Sequence, residues 1–383
     1  MLYLWLLAIV LLFLVWEKLL HERRIRAIRI RIFVNGTRGK TSVTRMIASA
    51  LRGAGIRTVA KTTGDRPVFI HPDGREEILR RRGPARIQEQ ISFVAKAAAL
   101  GAEAIVVECM AVEPRLQFVS GARIIKPTVG VITNVRADHL ETMGDTLDDI
   151  AGALSLTIPS AGSLVVGDPS YLDFFRRKAA KKNTVLRSAW AAPQGLHGAD
   201  PELLFPENAA VAREVCSLLN VNLSGESGPV GRTGVVRVPV RGRRIHFVDA
   251  FSANDVQSSA IAQEAVLSRY DCPRPFVALL NNRADRPLRM RSFVSYLSGQ
   301  DGYEYIVLVG ESRWSARRLL RREGRRQRVL VLGTRDPAKL LDEICRAISQ
   351  SEFTLFGLGN FRGVGARLSD HLYRESEDRG ELC

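Results

Sequence analysis

A chain of 383 residues, 46% hydrophobic and 25% charged, has room for two ordinary folded domains with sizeable cores, which excludes disorder over most of its length. With 56 Lys and Arg against 40 Asp and Glu it carries a net charge of +16, so its partners are expected to be acidic: phospholipid headgroups, nucleic acid or a polyanionic substrate. Five cysteines, at 109, 216, 272, 345 and 383, form no close pair and no metal-ligand spacing, a usage that fits a reducing compartment.

Leu2 to Trp16 is unbroken apolar sequence, and Leu19-Leu20 extends it past Glu17 and Lys18 to nearly the length that crosses a bilayer. Residues 1–20 are therefore expected to be a single-pass membrane anchor and 21–29 a basic juxtamembrane segment. Arg23, Arg24, Arg26, Arg29 and Arg31 should keep the remainder of the chain on the cytoplasmic side. No basic region precedes the apolar run and no small-residue cleavage site comes after it, which disfavours a removable signal.

The next stretch organises the chain. Arg29 to Val34 reads as a buried strand, Asn35-Gly36-Thr37-Arg38-Gly39-Lys40-Thr41-Ser42 as a phosphate loop, and Val43 to Leu51 as the helix it opens. Glycines let backbone N–H groups turn toward an anion at the helix N-terminus. Lys40 can reach the outer phosphates while the Thr41 hydroxyl faces magnesium. Val34 stands where the common pattern has its first glycine, so the loop is the shorter Gly-Thr-x-Gly-Lys-Thr form.

Arg57 to Ala60 is a short second strand leading into the polar loop Lys61 to Pro67, and Pro84 to Leu100 reads as a helix. Ala104 to Glu108 is an apolar strand ending in a carboxylate, which suggests a metal or a proton to handle. Cys109 reads as a small buried hydrophobe. Thr128 to Ile132 delivers Thr133-Asn134-Val135-Arg136-Ala137-Asp138-His139-Leu140, where Asn, Asp and His gather after a buried strand. Strands at 164–166 and 184–186 and a helix from Pro206 through Leu219, with Asn208 in its first turn, continue the alternation. Such alternation predicts a mostly parallel sheet over 30–228.

Leu223 to Pro229 is the linker candidate. Beyond it, strands at Arg244–Val248, Phe276–Leu280, Tyr305–Val309, Val329–Leu332 and Phe353–Phe356 alternate with helices near 256–269, 287–297, 314–322 and 337–348. They predict a smaller doubly wound α/β domain over 229–383, with a loose tail from Glu375 to Cys383. The densest basic clusters are Arg80 to Arg82, Arg317-Arg318 with Arg321-Arg322, and Arg325-Arg326 with Arg328. Each is either a solvated face or a polyanion contact, and no interleaved aromatics mark a nucleic-acid platform.

In order, these motifs resemble the Mur ligase superfamily. Gly36 to Thr41 is similar to its phosphate loop, Glu108 to its strand-end magnesium carboxylate, Thr133 to Leu140 to its Thr-Asn-x-x-x-Asp-His-Leu segment, and Asn208-Ala209-Ala210 to its asparagine helix. In the second half Gly231-Arg232 resembles the hinge arginine, Asp249 to Asp255 a diverged Asp-x-x-x-x-Asn nucleotide loop, and Asp285-Arg286 the phosphate-contacting pair. Within the superfamily the likeness is greatest to the ligase subunit of bacterial poly-γ-glutamate synthase, the CapB/PgsB family. The apolar N-terminus, Lys61 to Gly64, Glu89-Gln90, Val107 to Met110, Leu280 to Arg286 and Gly359-Asn360 add to it. One departure concerns a lysine that many relatives convert to a carbamate, which is replaced here at the Ala153-Leu154 step. Where the cell-wall ligases of the superfamily carry a UDP-sugar-binding domain, a membrane helix is expected here, so a nucleotide-sugar acceptor is not expected.

The resemblance implies an ATP- and magnesium-dependent γ-glutamyl ligase acting through an acyl phosphate, with glutamate and the polyglutamate chain as substrates and small membrane subunits of the synthase as partners. It assigns Lys40, Glu108, His139 and Arg286 to catalysis. Gly36, Thr37, Arg38, Gly39, Lys40, Thr41, Ser42, Asn208, Asp249, Asn254 and Arg286 fall to the nucleotide, and Thr41, Glu108 and His139 to the metal. The Lys61–Arg66 loop and Arg80 to Arg82 are candidate polymer contacts. The competing readings are a folylpolyglutamate-like ligase with a small acceptor, a membrane-tethered phosphate-loop ATPase, and a scaffold that keeps the fold without catalysis.

Overall fold

In a computed structural model the described residues are 2–63, 67–79, 81, 83, 85–189, 206–223, 235–251, 253, 255–323 and 327–377. Of the segments singled out in the sequence, Gly64 to Arg66, Arg80, Arg82, Pro84, Ser224 to Pro229, Gly231-Arg232, Asn254, Arg325-Arg326 and Cys383 lie outside them. The chain divides into two compact units, the first running in sequence to Val230 and the second from Gly231 onward.

The first unit opens with a helix, Leu2–Ala27, long and apolar enough to cross a membrane. Tyr3, Trp5, Phe13 and Trp16 are each more than half exposed on it. The helix continues through the basic segment, and its last turns join the unit. Ile25, and Ile28 just beyond, are buried with Phe33, Val59, Phe93 and Val107. His21 Nε2 lies 2.9 Å from the Ile124 carbonyl oxygen, and Glu22 pairs with Lys126. Arg31 Nε donates to the Lys126 carbonyl at 2.7 Å and Nη1 to that of Ile28 at 2.6 Å, fixing the step from helix to sheet.

The sheet comprises β1 (Ile30–Asn35), β2 (Thr58–Thr62), β3 (Val68–Ile70), β4 (Glu76–Ile78), β5 (Ala104–Glu108), β6 (Val129–Ile132), β7 (Ser163–Val166) and β8 (Val185–Ser188), in the order β4-β3-β2-β5-β1-β6-β7-β8. All pairings are parallel except those of β3 with β2 and β4. β1, β2, β5 and β6 carry apolar residues on both faces, as a sheet covered on both sides requires. After β1 the helix Lys40–Gly53 buries Val43, Met46, Ile47, Ala50 and Leu51, an i, i+3, i+4, i+7, i+8 stripe. The chain then reaches β2 on one side of β1, whereas the connection after β5 crosses to β6 on the other. Connections thus diverge at the C-terminal end of β1, where ligands of open α/β sheets bind.

The second unit contains β9 (Val235–Val240), β10 (Arg243–Asp249), β11 (Phe276–Asn282), β12 (Tyr305–Gly310), β13 (Arg328–Val331) and β14 (Glu352–Gly359), in the order β13-β12-β11-β14-β10-β9. Only β9 is antiparallel to its neighbour, joined to β10 by a turn in which Arg241 and Gly242 both have positive φ. One face buries Phe247, Leu279, Val307, Leu355 and Phe353 with Leu340, Ile344 and Leu368.

No sequence expectation covered the β3–β4 hairpin or β9, and two elements differ from theirs. The helix expected from Pro84 begins at Glu89. The tail is not loose from Glu375, because the helix Val364–Glu377 runs through that position and buries Leu368 and Leu372.

Candidate active site

The loop expected to hold phosphate is built by two glycines in conformations an L side chain rarely adopts. Gly36 has φ +125°, and a Cβ there would stand 2.1 Å from Thr133 Oγ1. Gly39 has φ +79°, and a Cβ there would stand 2.0 Å from Asn208 Oδ1. The loop is thereby clamped between the segment after β6 and the first turn of the helix Pro206–Leu218. Asn35 sets its start: Nδ2 donates to Gln117 Oε1 at 2.8 Å and Oδ1 accepts the Gly36 N–H at 2.9 Å.

Main-chain bonds close the loop against 133–136. Thr37 N–H donates to the Asn134 carbonyl at 3.1 Å, Arg38 N–H to Asn134 Oδ1 at 3.0 Å, and Arg136 N–H to Thr37 Oγ1 at 3.0 Å. Lys40 Nζ donates to the carbonyls of Gly36 (2.6 Å) and Thr37 (3.1 Å). Burial lowers the Lys40 pKa, opposed by Glu108. Ser42 comes next, half-buried, in the first helical turn.

Glu108 ends β5 opposite Val34 of β1 and is 3% exposed. Its Oε2 accepts the Thr41 hydroxyl at 3.0 Å and the Thr63 N–H at 2.7 Å. The carboxylate is thus fixed in orientation. Thr63 was not singled out by sequence, since a main-chain donor leaves no signature in residue type. Cys109 is buried, and that burial pushes its thiol up to about 12.

Lys61, expected at the start of an exposed polar loop, lies inside the unit. It is 1% exposed and its Nζ lies 3.3 Å from Glu89 Oε2, which Arg81 Nη2 also approaches at 3.0 Å while Arg81 Nε takes Oε1 at 2.8 Å. β2 runs one residue past Lys61, and this buried end carries the side chain inward. Burial lowers the Lys61 pKa and Glu89 opposes it.

Beyond β6, Asp138 Oδ2 accepts from Arg38 Nη2 at 3.1 Å and stands 3.5 Å from His139 Nε2. His139 has φ +52° and its Nδ1 is 3.8 Å from Glu141. Asp168, which sequence reading passed over, holds the segment by accepting the Val135 N–H at 2.8 Å. Leu154 is 1% exposed and packs with Ile132, Val135, Ile150 and Phe175, so hydrocarbon surrounds the position that the resemblance sets against the carbamate lysine.

The structure therefore gathers Gly36 to Ser42, Glu108, Asp138, His139 and Asn208 at one edge of the first unit. Asp249 and Arg286 belong to the second, Asp249 as the last residue of β10 and Arg286 in the loop after β11, the two strands that flank β14. Asp249 is buried, with Oδ2 accepting from the Ser369 hydroxyl and Oδ1 from the Phe251 N–H at 3.2 Å; burial raises its pKa to about 6. Arg286 immediately precedes the helix Pro287–Ser298, and Arg283 clamps Asp285 through both carboxylate oxygens. At the ends of β11 and β14 the Asn281 and Asn360 side-chain amides each donate to the other's main-chain carbonyl, and Arg289 Nη1 donates to Asn360 Oδ1 at 2.8 Å.

Among the described residues no group of three or more His, Cys, Asp and Glu converges in a ready-made cation cage. The Thr41 hydroxyl and Glu108 carboxylate, side by side at a phosphate loop, nonetheless fit magnesium. That ion takes one or two carboxylates and completes its shell with phosphate oxygens and water.

The Mur ligase middle domain profile matches residues 34–195, and the poly-gamma-glutamate synthase CapB C-terminal domain profile matches 235–375. The capsule biosynthesis protein CapB of Bacillus anthracis is 35% identical over 312 residues, 78% of this chain and 67% of that protein. The PGA synthase CapB of Bacillus subtilis (strain 168) is 34% identical over 319 residues, 80% of each. Among solved structures, a bifunctional folylpolyglutamate synthase/dihydrofolate synthase with Mn, AMPPNP and L-glutamate bound superposes with a TM-score of 0.65 at 15% identity, over 93% of each chain, and speaks to the fold alone. The fold is that of the Mur ligases and folylpolyglutamate synthases, and the chain is an ATP-dependent amide-bond ligase. It belongs to the poly-γ-glutamate synthase CapB family.

Proposed function

We propose that the chain extends poly-γ-glutamate, joining glutamate residues through γ-amide bonds with release of ADP and phosphate. The convergence of Lys40, Thr41 and Glu108 at the phosphate loop carries this reading, in a chain related to CapB proteins across both units. A free carboxylate lacks a leaving group. One of its oxygens therefore attacks the γ-phosphorus of ATP, the bond to the β–γ bridging oxygen breaks, and ADP departs. The amine of the next residue then attacks the acyl carbon, the carbon–oxygen bond to phosphate breaks, and the amine gives up a proton.

Lys40 exchanges the Gly36 and Thr37 carbonyls for phosphate oxygens, and the N–H groups at the start of Lys40–Gly53 hold the rest. Magnesium, held by Thr41 and Glu108, would neutralise the β and γ oxygens. Thr63 keeps Glu108 aimed, and Asp138 holds both Arg38 and His139. His139 supports the metal or the acceptor carboxylate. Asn208, Asp249 and Asn254 are assigned to the nucleotide, and Arg286 to charge developing on the transferring group. The Leu2–Ala27 helix would anchor the chain in the cell membrane with both units cytoplasmic, alongside other membrane subunits of the synthase.

The test is ADP and phosphate release by detergent-solubilised full-length protein with magnesium-ATP, with and without glutamate and short γ-linked oligomers, with hydroxylamine as a trap. Acceptor-dependent turnover and an acyl hydroxamate, both absent in Lys40→Ala and Glu108→Ala, are expected. Turnover indifferent to glutamate and oligomers would instead mark an ATPase.

A further inference from the structure

One basic surface is left unused by the site. The helix Arg313–Arg322 seats on the second unit through Ala316 and Leu320, while Arg318, Arg321 and Arg322 are exposed and Arg317 is half-buried. Arg317 and Arg321 are spaced four residues apart, as are Arg318 and Arg322, giving two rows whose backbone positions repeat at about 6 Å along the axis; Arg313, one turn before Arg317, is held on the Gly310 carbonyl at 2.8 Å. Favourable interaction with the helix dipole accounts for cations in the last turn, but not for those in the first two. Among the described residues no carboxylate pairs with Arg318, Arg321 or Arg322. The acids at the two ends are engaged: Glu311 accepts the Ala284 N–H at 3.0 Å, and Glu323 accepts the Ser298 hydroxyl. The Glu311 contact, with the Glu311 N–H on the Asn282 carbonyl at 2.9 Å, sets the start of the rows beside the Arg283–Arg286 loop.

We propose that this face is a track for the poly-γ-glutamate chain, an inference that rests on the function proposed above and names a second contact for its substrate. Each γ-linked residue leaves one free α-carboxylate and spans five backbone bonds, roughly 6 Å when extended with bonds near 1.5 Å. Carboxylates and arginine rows then share a pitch, and the arginine fork takes a carboxylate through two parallel bonds. A bilayer is the poorer occupant, because the apolar side of the helix is already buried in its own unit. A nucleic acid is poorer too. Trp314 is exposed, but the Arg317 guanidinium covers its ring at 5.5 Å, leaving that face closed to a base.

The test compares full-length protein in detergent with a variant carrying Arg317→Gln, Arg318→Gln, Arg321→Gln and Arg322→Gln. A control carries Arg177→Gln, Lys178→Gln and Lys181→Gln, exposed cations of the first unit. Binding of a long fluorescent poly-γ-glutamate chain is read by anisotropy at low and high salt. Turnover on a short γ-linked oligomer and the length of the polymer made are measured alongside. The track variant is expected to bind the long chain about tenfold or more weakly at low salt, to lose that difference at high salt, and to make shorter product. Short-oligomer turnover and unfolding midpoint should stay those of the control. Long-chain binding equal to the control overturns the proposal. So does undiminished polymer binding with lost affinity for anionic phospholipid vesicles or single-stranded DNA. Should the fourfold variant fail to fold, the pair Arg318→Gln with Arg322→Gln replaces it, with a smaller loss of the same kind expected. Wild-type protein that binds polymer but forms no amide from ATP and glutamate would sink the ligase reading and leave the track standing.

Discussion

Asp249 is a carboxylate kept in a place that favours its neutral form. Burial lifts its pKa from the ordinary 3.8 to about 6, against the opposing hydrogen bonds from Ser369 and Phe251. With the folded value above the unfolded one, the folded chain binds more protons between about pH 4 and pH 6. Stability therefore falls as pH rises through that window and levels off above it. A shift of about two units corresponds to about 3 kcal/mol at neutral pH. Asp249→Asn removes the titration, while its amide can still accept the Phe251 N–H and donate to the Ser369 oxygen. By linkage the variant should gain less than about 1 kcal/mol over wild type at pH 4 and about 3 kcal/mol by pH 8. That is roughly 6–12 °C at the upper end for a domain of this size. Thermal unfolding of the two proteins across this pH range reads the gap directly. A gap as wide at pH 4 as at pH 8 would refute the argument. Under the ligase reading the same variant should bind ATP more weakly, a carboxylate held for its contact at a cost in stability.

The first unit yields three further expected outcomes. Gly39→Ala meets about 1–2 kcal/mol of left-handed backbone strain before its Cβ displaces Asn208, so it should lose binding of a fluorescent ATP analogue; wild-type affinity would detach the loop from the nucleotide. Glu108→Gln keeps an acceptor for Thr41 and Thr63 but removes the charge, so the magnesium dependence of turnover should move upward by about tenfold or more, with little change in unfolding midpoint. Leu154→Ala should cost about 2–5 kcal/mol in chemical denaturation with turnover per folded molecule kept. Loss of turnover without loss of stability would give that position a chemical role.

What the sequence discloses depends on which groups carry the information. Gly36, Gly39, Lys40 and Thr41 announce themselves because glycine and lysine at that spacing are not needed for an ordinary turn, and the runs Ala104–Val107 and Val129–Ile132 are legible as strands buried on both faces. The β3–β4 hairpin is three residues a side, interrupted by His71, Pro72 and Asp73, and too short to show alternation. β9 carries Pro239, which argues against a strand interior and is tolerated because β9 is an edge. Lys61 reads as a loop cation until β2 is seen to continue past it. Thr63 acts through its main chain, and Asp168 through an acceptor placed by tertiary packing, neither of which a residue type reveals.

Leu154 and Glu108 together bear on how the proposed chemistry handles charge. The resemblance sets Leu154 against the carbamate lysine of many Mur ligases; here Leu154 packs with Ile132, Val135 and Phe175, and an anion among those side chains would face an uncompensated desolvation cost. The nearest other carboxylate after β6, Asp138, already faces Arg38 and His139. Glu108 has both fixed hydrogen bonds on Oε2, so its Oε1 is the oxygen left to meet a cation. Under the proposed reaction one magnesium at Thr41 and Glu108 would suffice, with Lys40 and Arg38 supplying positive charge that a second ion would otherwise bring. On that account, turnover should saturate along a single hyperbola as magnesium is raised over fixed magnesium-ATP. A second, cooperative activation step would show that another group, not Leu154, completes a further site.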